Sequence, residues 1–582
     1  MILKMVMQMR VPEIIDQHYE AHGNHQGLSV GWLAALFVVY MLAESNHKMV
    51  TVREWVRKHQ TTLEKQTGQR IRPTDFTDDR LGDVLRYLSE DELWGQIEQD
   101  LSQHTIRVYK LETNQPIRLD ATVGGSKHDE QKHSLFKTGR NKDGVFEVQF
   151  KLMLGVLDPL GLALAADVVS GEGGDDPLYV PIYQRIRQTL GQAGRLYIGD
   201  SKMGALNTRA VIADGGDYYL TPLALVGQTP ALLEELLSVV EAGQINLTKI
   251  YLPEDLPTDP DQAPDPELAL AEGFEVVREQ QARLEDGSLV TWQERVLVVR
   301  SYAFAQAQIK NFEQRLAQAE AEILGLTPSR GPGKRQFDDP VALHQAIEAI
   351  VKRYRVSACF DIELERQATL RQVRAYKDRP ARTEEQVRYQ VHLTRREKAI
   401  EQAKFRLGWR LYATNAPVQQ FSLTEAVLAY RDQYLVERNF AQIKGPLLAM
   451  LPLYVQRDDH ALGLIRLLTV ALRLLTIIEF VVRRSLSTAE QTITGLYDGN
   501  PKRQTATPSV ALLLNVFDNI SLTTITQANQ ITGQHLTPLT AVQRRILDLL
   551  DLSPHIYESL VDFSTSSSIT QGGVRPINGL PC

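Results

Sequence analysis

Hydrophobic positions recur at two different spacings along the chain, and each spacing predicts a different kind of structure. Over residues 1–105 apolar side chains return every three to four positions, as at Leu81, Val84, Leu85 and Leu88. This spacing is typical of amphipathic helices that pack against each other. We therefore predict a helical N-terminal region, after which the pattern changes to short strands.

Residues 106–223 carry the pattern of a mixed sheet. Predicted strands at 117–123, 147–157 and 161–169 are followed by a helix, a strand, a second helix and a second strand. Hairpin-linked strands pair antiparallel, whereas right-handed strand–helix–strand crossovers add parallel strands. The predicted fold class is α/β, and the first and fourth predicted strands should be neighbours in the sheet.

A long insertion interrupts this pattern at residues 224–415. Residues 252–287 hold 11 acidic and 2 basic residues with five prolines, which predicts a solvated acidic loop. Residues 351–410 hold 16 Lys and Arg against 8 Asp and Glu, and we expect a basic helical segment there. Apolar helices return at 416–485, the second part of the core. Residues 486–582 are predicted to be a linker, a small helical region and a disordered tail.

Composition and charge narrow the class of protein. The 582 residues include 64 Lys and Arg and 71 Asp and Glu, a formal charge of −7. This excludes a uniformly basic protein that coats a polyanion, but it allows a local basic groove. Cys359 and Cys582 are the only cysteines, so a disulfide framework is excluded and a cytoplasmic location is expected. The apolar runs at 30–42 and 464–482 are expected to be buried helices, not membrane spans.

Three acidic residues occupy positions that call for an explanation. Asp120 lies inside an apolar strand, Asp200 directly follows the buried strand at 195–199, and Glu437 lies on a helix beyond the insertion. Singly, they also fit an outward-facing strand carboxylate, a helix N-cap and a solvated helix carboxylate. Because the first and fourth strands should be adjacent, the three together predict a hard-oxygen site for Mg²⁺ or Mn²⁺, with two ions.

The residues around Glu437 resemble a known signature. Tyr430, Glu437 and Lys444 have the spacing of the Tyr-x2-Arg-x3-Glu-x6-Lys pattern, which is found in one group of the DDE transposases of bacterial insertion sequences. Gln433 stands at the Arg position of that pattern. Since 3.6 residues make one helical turn, we expect one helix that presents Tyr430, Glu437 and Lys444 on a single face.

Two further segments resemble motif blocks of the same family. They are Leu-Asp-Ala-Thr at 119–122 and Tyr-Ile-Gly-Asp-Ser-Lys-Met-Gly at 197–204. The resemblance implies a ribonuclease H-like core. It also implies that Asp120, Asp200 and Glu437 are the catalytic residues and hold the metal ions.

The resemblance implies a reaction and its partners as well. A DDE transposase cuts the inverted-repeat ends of its element and joins the exposed 3′-OH ends to target DNA, and we expect a homodimer that pairs the two ends. A metal-dependent nuclease and a non-catalytic DNA-binding descendant are the alternatives. Residues 1–105 are a candidate for end recognition. The residues expected to contact DNA are Tyr430, Arg431, Arg438, Lys444, Arg395 and Arg396.

Some of these DNA contacts have simpler alternatives. Tyr430 also fits a core aromatic residue, and Lys444 also fits a solvated lysine. Arg395 and Arg396 equally fit a solvated face on which the charges are paired.

Overall fold

Six α-helices and a short 3-10 helix (Pro73–Phe76) occupy the described part of the predicted helical region in the computed structural model. α3 is apolar on all sides, and it is buried along most of its length because neighbouring helices cover it. Its N-cap, Ser29, accepts a hydrogen bond from the backbone N–H of Trp32. The helices are α1 (Ile2–Gln8), α2 (Val11–His18), α3 (Val30–Glu44), α4 (Met49–Thr67), α5 (Asp78–Leu88) and α6 (Asp91–Tyr109).

A mixed sheet follows these helices. Its elements are β1 (Ile117–Gly125), β2 (Lys137–Arg140), β3 (Phe146–Leu157), β4 (Leu162–Ser170), α7 (Tyr179–Leu190), β5 (Leu196–Gly199), α8 (Leu206–Asp214) and β6 (Tyr218–Pro222). The strand order is β2-β3-β1-β5-β6, and β4 also pairs with β3. β1 is antiparallel to β3 and parallel to β5. The first and fourth predicted strands, β1 and β5, are therefore neighbours as predicted, and the short β2 is an addition.

The insertion contains a second set of strands and helices. They are α9 (Thr229–Glu241), β7 (Thr248–Ile250), β8 (Ala271–Arg283), β9 (Leu289–Ser301), α10 (Tyr302–Gly325), α11 (Pro340–Tyr354), β10 (Phe360–Val373), β11 (Arg382–Arg395), α12 (Glu397–Phe405) and β12 (Trp409–Thr414). Strands here are ordered β12-β9-β8-β7, and β10 and β11 form a separate hairpin. Apolar side chains of α10 and α11 pack against the base of that hairpin, as at Phe312, Ile347 and Val391.

Two expectations for the insertion are wrong. The basic segment is not helical at its centre, because β10 and β11 pair antiparallel over 14 residues each, from Phe360↔Arg395 to Val373↔Arg382. Apolar residues alternate with polar ones at the start of β10, so that one face of the hairpin packs on the core. The acidic stretch is not a loop throughout, since β8 begins at Ala271 and pairs with β7.

The C-terminal part returns to helices. The helices are α13 (Leu423–Arg431), α14 (Tyr434–Lys444), α15 (Asp458–Thr488), α16 (Val510–Asn515), α17 (Ala541–Leu549) and α18 (His555–Glu558). The strands β13 (Leu522–Gln527) and β14 (Gln530–Leu536) lie between α16 and α17. α15 is long and apolar enough to cross a membrane, but 94% of its most apolar window is buried inside the protein. It is therefore a core helix, as predicted for residues 464–482. The β13–β14 hairpin was not predicted, because its residues are mostly polar and exposed.

The elements are divided between two units. The first consists of Met1–Thr221, Gln281–Trp292 and Tyr430–Cys582, and the second of Pro222–Gln280 and Gln293–Ala429. The residues described are 1–19, 26–141, 143–259, 262–328, 337–375, 380–527 and 530–561. The predicted disordered tail, residues 564–582, lies outside them.

Candidate functional site

Asp120 and Asp200 lie at the same level of two neighbouring parallel strands. Leu119 of β1 is paired with Gly199 of β5, and each aspartate is the residue that follows. Neighbouring strands of a sheet are about 4.8 Å apart. The register therefore brings the two aspartates side by side, which is the arrangement that the predicted strand order indicated.

The face of β1 that carries Asp120 also carries Arg118 and Thr122, because successive side chains of a strand point to opposite faces. Arg118 is 1% exposed and forms an ion pair with Asp158. The Arg118 Nε atom lies 2.9 Å from each carboxylate oxygen of Asp158, and Nη2 lies 2.7 Å from Oδ2. A buried and paired cation therefore lies two positions before Asp120 on the same face of β1.

The carboxylate of Asp200 has two hydrogen-bond donors on one oxygen. Tyr179 Oη donates to Oδ1 at 2.6 Å, and the backbone N–H of Lys202 donates to the same atom at 2.9 Å. Asp200 is not the N-cap of a helix, since α8 begins at Leu206 and its N-cap is Ala205. It instead starts the turn that follows β5, so the simple capping alternative is excluded.

Tyr179 is buried, and its hydroxyl lies against the Asp200 carboxylate. Its pKa is raised above the ordinary tyrosine value, first by burial, then by the charge of Asp200 and the hydrogen bond to it, and further by the charges of Asp120 and Asp175. The phenol is therefore neutral near pH 7 and acts as a donor. Gly199 lets the ring approach, because a Cβ atom there would lie 3.2 Å from Tyr179 Cε1 and 2.7 Å from Met203 Sδ.

α14 is attached to β1 at both of its ends. At its N-cap, Gln433 Oε1 accepts from Arg118 Nη1 at 3.5 Å. At its last residue, Lys444 Nζ donates to Thr122 Oγ1 and to the carbonyl oxygen of Val123, both at 2.7 Å. Since Arg118 precedes Thr122 on β1, helix and strand run in the same direction.

This alignment sets the level of Glu437. Glu437 lies four residues after Gln433, a rise of about 6 Å along the helix. Asp120 lies two residues after Arg118, a rise of about 6.6 Å along the strand. Glu437 is therefore level with Asp120, and its side chain is exposed.

The three carboxylates do not form a ready metal site. Among the residues that the structure describes, no group of three or more His, Cys, Asp or Glu side chains is arranged so that it could hold a metal ion. The fold brings Asp120 and Asp200 together. The carboxylate of Glu437 does not join them to form a single metal-binding group. The role of all three as ligands stays a prediction.

The prediction that a single helix carries Tyr430, Glu437 and Lys444 is wrong. Tyr430 lies on α13, which ends at Arg431, and Glu437 and Lys444 lie on α14, which begins at Tyr434. The helix breaks where the chain meets the buried Arg118–Asp158 pair, since Gln433 contacts Arg118 and the charge of Asp432 acts on Asp158. A tertiary contact therefore overrides a helical pattern that has no glycine or proline to interrupt it.

Several of the predicted DNA-contact residues have partners within the chain. Arg438 lies 3.1 Å from Glu479, and Lys444 is bonded to β1 as described. Arg395 lies 2.6 Å from Glu320, and Arg396 lies 2.5 Å from Asp361. In the structure, Arg395 and Arg396 are therefore both paired with carboxylates, as the alternative interpretation predicted. Arg431 is exposed at the end of α13. For all of these residues, contact with DNA stays a prediction.

Sequence reasoning missed Tyr179 and Arg118. Tyr179 belongs to the apolar stripe of α7 together with Ile182, Tyr183 and Ile186, which are all buried. A tyrosine in such a stripe has the pattern of a core residue. Its hydrogen bond to Asp200 becomes apparent only from the position of Asp200 at the end of β5. For Arg118, the signal was a charged residue inside an apolar strand two positions before Asp120.

Comparison with known proteins gives little beyond this geometry. No protein-family model matches the chain, and no curated protein matches it. One solved structure to which it is similar is the piggyBac transposase synaptic complex with hairpin DNA, at a TM-score of 0.24 and 7% sequence identity. The match spans 50% of this chain and 57% of that chain. Similarity at this level supports no conclusion about fold or function.

Proposed function

We propose that the protein is a DNA transposase of the DDE class with a ribonuclease H-like core. The observation that carries the proposal is the register of β1 and β5, which sets Asp120 and Asp200 side by side. The attachment of α14 to β1 adds an acidic residue, Glu437, at the same level. These are the residues that stand in the transposase-like motifs of the sequence.

The donor chemistry of this site fits Mg²⁺ or Mn²⁺. Carboxylate oxygens are the ligands that these hard cations prefer, and Asp120 and Asp200 are both half-buried on or directly after neighbouring strands. In our proposal Asp120, Asp200 and Glu437 would hold two ions. When bound, such ions activate the attacking oxygen and stabilise the leaving oxygen of a phosphodiester.

The chain's own residues would bind and orient the DNA strand. In the first reaction a water oxygen bonds to phosphorus, the P–O3′ bond at the element end breaks, and a proton is taken up by the leaving 3′ oxygen. In the second reaction that 3′ oxygen bonds to a phosphorus of target DNA, the P–O3′ bond of the target strand breaks, and the leaving 3′ oxygen takes up the proton that the attacking hydroxyl loses. The carboxylates would hold the ions against the phosphate, and Tyr430, Arg431 and Lys444 would contact the neighbouring phosphates.

The proposal includes partners and a location. The protein would bind the inverted-repeat ends of its element and then target DNA, as a homodimer in the paired-end complex, in the cytoplasm and on the nucleoid. The helical N-terminal region would contribute to end recognition. Arg395, Arg396 and Arg438 would contact phosphates by exchanging their present carboxylate partners for DNA.

A plasmid assay tests the proposed reaction. A marker is placed between the sequences that flank the reading frame, the full chain is supplied, and cleavage and insertion of the marker are measured. Transposition predicts insertion; a nuclease on the same core would only cut, and a non-catalytic descendant would only bind. Either of the last two results overturns the proposal.

Variants connect the activity to the site. Asp120→Asn, Asp200→Asn and Glu437→Gln should each abolish cleavage and leave DNA binding intact, because the three act as one unit. Asp175→Asn is the matched control, since Asp175 also lies near Tyr179 but is paired with Lys151 at 2.5 Å. Cleavage that survives Asp120→Asn, Asp200→Asn or Glu437→Gln would contradict the assignment.

A further inference from the structure

A buried tyrosine lies directly behind one of the proposed ligands. We propose that Tyr179 is a positioning residue, which holds the carboxylate of Asp200 in the orientation needed to bind a divalent cation. The inference rests on the proposed function, because it concerns how one of its ligands is oriented. It assigns no contact between Tyr179 and the cation or the DNA.

The hydrogen bonds define the orientation. Both donors to the Asp200 carboxylate within the described part of the chain, Tyr179 Oη and Lys202 N–H, reach Oδ1. An oxygen that accepts two hydrogen bonds fixes the plane of its carboxylate, so Oδ2 is directed to the other side. Partners of this kind orient metal-binding side chains in many proteins, and their loss weakens metal binding.

Packing keeps the phenol in position. Tyr179 is 1% exposed at the first residue of α7, and its ring lies against the backbone of Gly199. The backbone carbonyl of Asp200 is held separately by Thr221 Oγ1 at 2.7 Å. The backbone at Asp200 is thus fixed by one contact, and its side chain is fixed by another.

The same helix offers a matched control. Tyr183 lies one turn after Tyr179, is 2% exposed, and donates from its hydroxyl to Asp217 Oδ2 at 2.9 Å. Asp217 also accepts from the backbone N–H of Arg195 at 2.9 Å and is not a proposed ligand. Replacing either tyrosine by phenylalanine removes one hydroxyl and one bond to a carboxylate. Only the change at Tyr179 should affect the proposed site.

The experiment measures binding of Mn²⁺ alone to the full chain. Free Mn²⁺ is followed by electron paramagnetic resonance during titration of the wild type, Tyr179→Phe, Tyr183→Phe and Asp200→Asn. We expect about tenfold weaker Mn²⁺ binding for Tyr179→Phe, unchanged binding for Tyr183→Phe, and loss of the site for Asp200→Asn. Thermal unfolding of each variant checks that it is folded.

Each outcome decides a different point. Equal Mn²⁺ affinity of Tyr179→Phe and Tyr183→Phe, with loss in Asp200→Asn, overturns the role of Tyr179 and leaves the proposed function standing. Unchanged binding in Asp200→Asn instead overturns the metal site itself. If Tyr179→Phe does not fold, Tyr179→Met takes its place, because a flexible apolar side chain fills the buried space and likewise has no hydroxyl donor. Wild-type Mn²⁺ affinity of Tyr179→Met would then refute the positioning role.

Discussion

Replacing Arg118 by methionine should destabilise the first unit strongly. Methionine keeps much of the side-chain volume but removes the charge, and Asp158, which is 6% exposed, is left as a buried carboxylate without its partner. Removing one partner of such a pair costs about 3–5 kcal/mol. Proteins of ordinary stability unfold at a cost of about 5–15 kcal/mol, so this is a large fraction of the total.

The loss should depend on pH with a definite sign. Burial raises the pKa of Asp158, the hydrogen bond and charge of Arg118 oppose this, and the charge of Asp432 raises the pKa further. Without Arg118 the pKa should rise more, while an unfolded aspartate titrates near about 3.9. A raised folded-state pKa gives stability that is present at low pH and lost as pH rises through that pKa. The variant should therefore lose less stability at pH 5 than at pH 8.

Urea unfolding followed by tryptophan fluorescence measures the effect. Four of the five tryptophans, Trp32, Trp55, Trp94 and Trp292, belong to the first unit, so the signal reports mainly on it.

Two further variants make the result decisive. Arg86→Met is the control, because Arg86 and Asp83 form an exposed pair whose removal should change stability by at most about 0.5 kcal/mol. Adding Asp158→Leu to Arg118→Met should restore much of the loss, since no buried charge then remains. A loss equal to that of Arg86→Met, or a loss that grows on acidification, would refute the reasoning.

Three other predictions test packing, the helix attachment and DNA binding. Gly463→Ala should lower the melting temperature, because its Cβ atom would lie 1.9 Å from the Leu85 carbonyl oxygen, whereas Gly95→Ala, with open space around it, should raise the melting temperature slightly. Lys444→Met should slow DNA cleavage at least about tenfold without unfolding the protein, since misplacing a catalytic group by about 1 Å can cost about 100-fold in rate; wild-type cleavage would refute a role of this attachment in positioning Glu437. If Arg395 and Arg396 contact phosphates, changing both to Gln should reduce the slope of log K against log salt by about 2, and an unchanged slope would exclude those contacts.

The neighbouring positions of Asp120 and Asp200 could be predicted from the sequence. The turn at 158–161 joins two strands into a hairpin, and the apolar stripe of α7 identifies a crossover helix. Few arrangements remain once crossovers must be right-handed, and they make β1 and β5 neighbours. The exact register, Leu119 opposite Gly199, comes from the structure, because Asp120 lies inside its strand whereas Asp200 follows its strand.

Other features depended on contacts that the sequence does not display. Counting charges over residues 351–410 averaged out the alternation at Phe360, Ile362 and Leu364, which indicates a strand. The break between α13 and α14 depends on packing against Arg118 and not on a local helix breaker. To predict the hydrogen bond from Tyr179 to Asp200, one must know how far along α7 the end of β5 lies. No spacing along the chain defines that position.

The same packing accounts for the residue that departs from the transposase-like signature. Gln433 stands where the signature has arginine, and its Oε1 atom accepts a hydrogen bond from Arg118. A guanidinium has five donors and no acceptor, so an arginine at that position could not accept this bond and would bring a second cation beside the first. A buried arginine on β1 and a glutamine at the start of α14 therefore belong together. Gln433, Glu437 and Lys444 share one side of α14, and the first and last of these three residues contact β1.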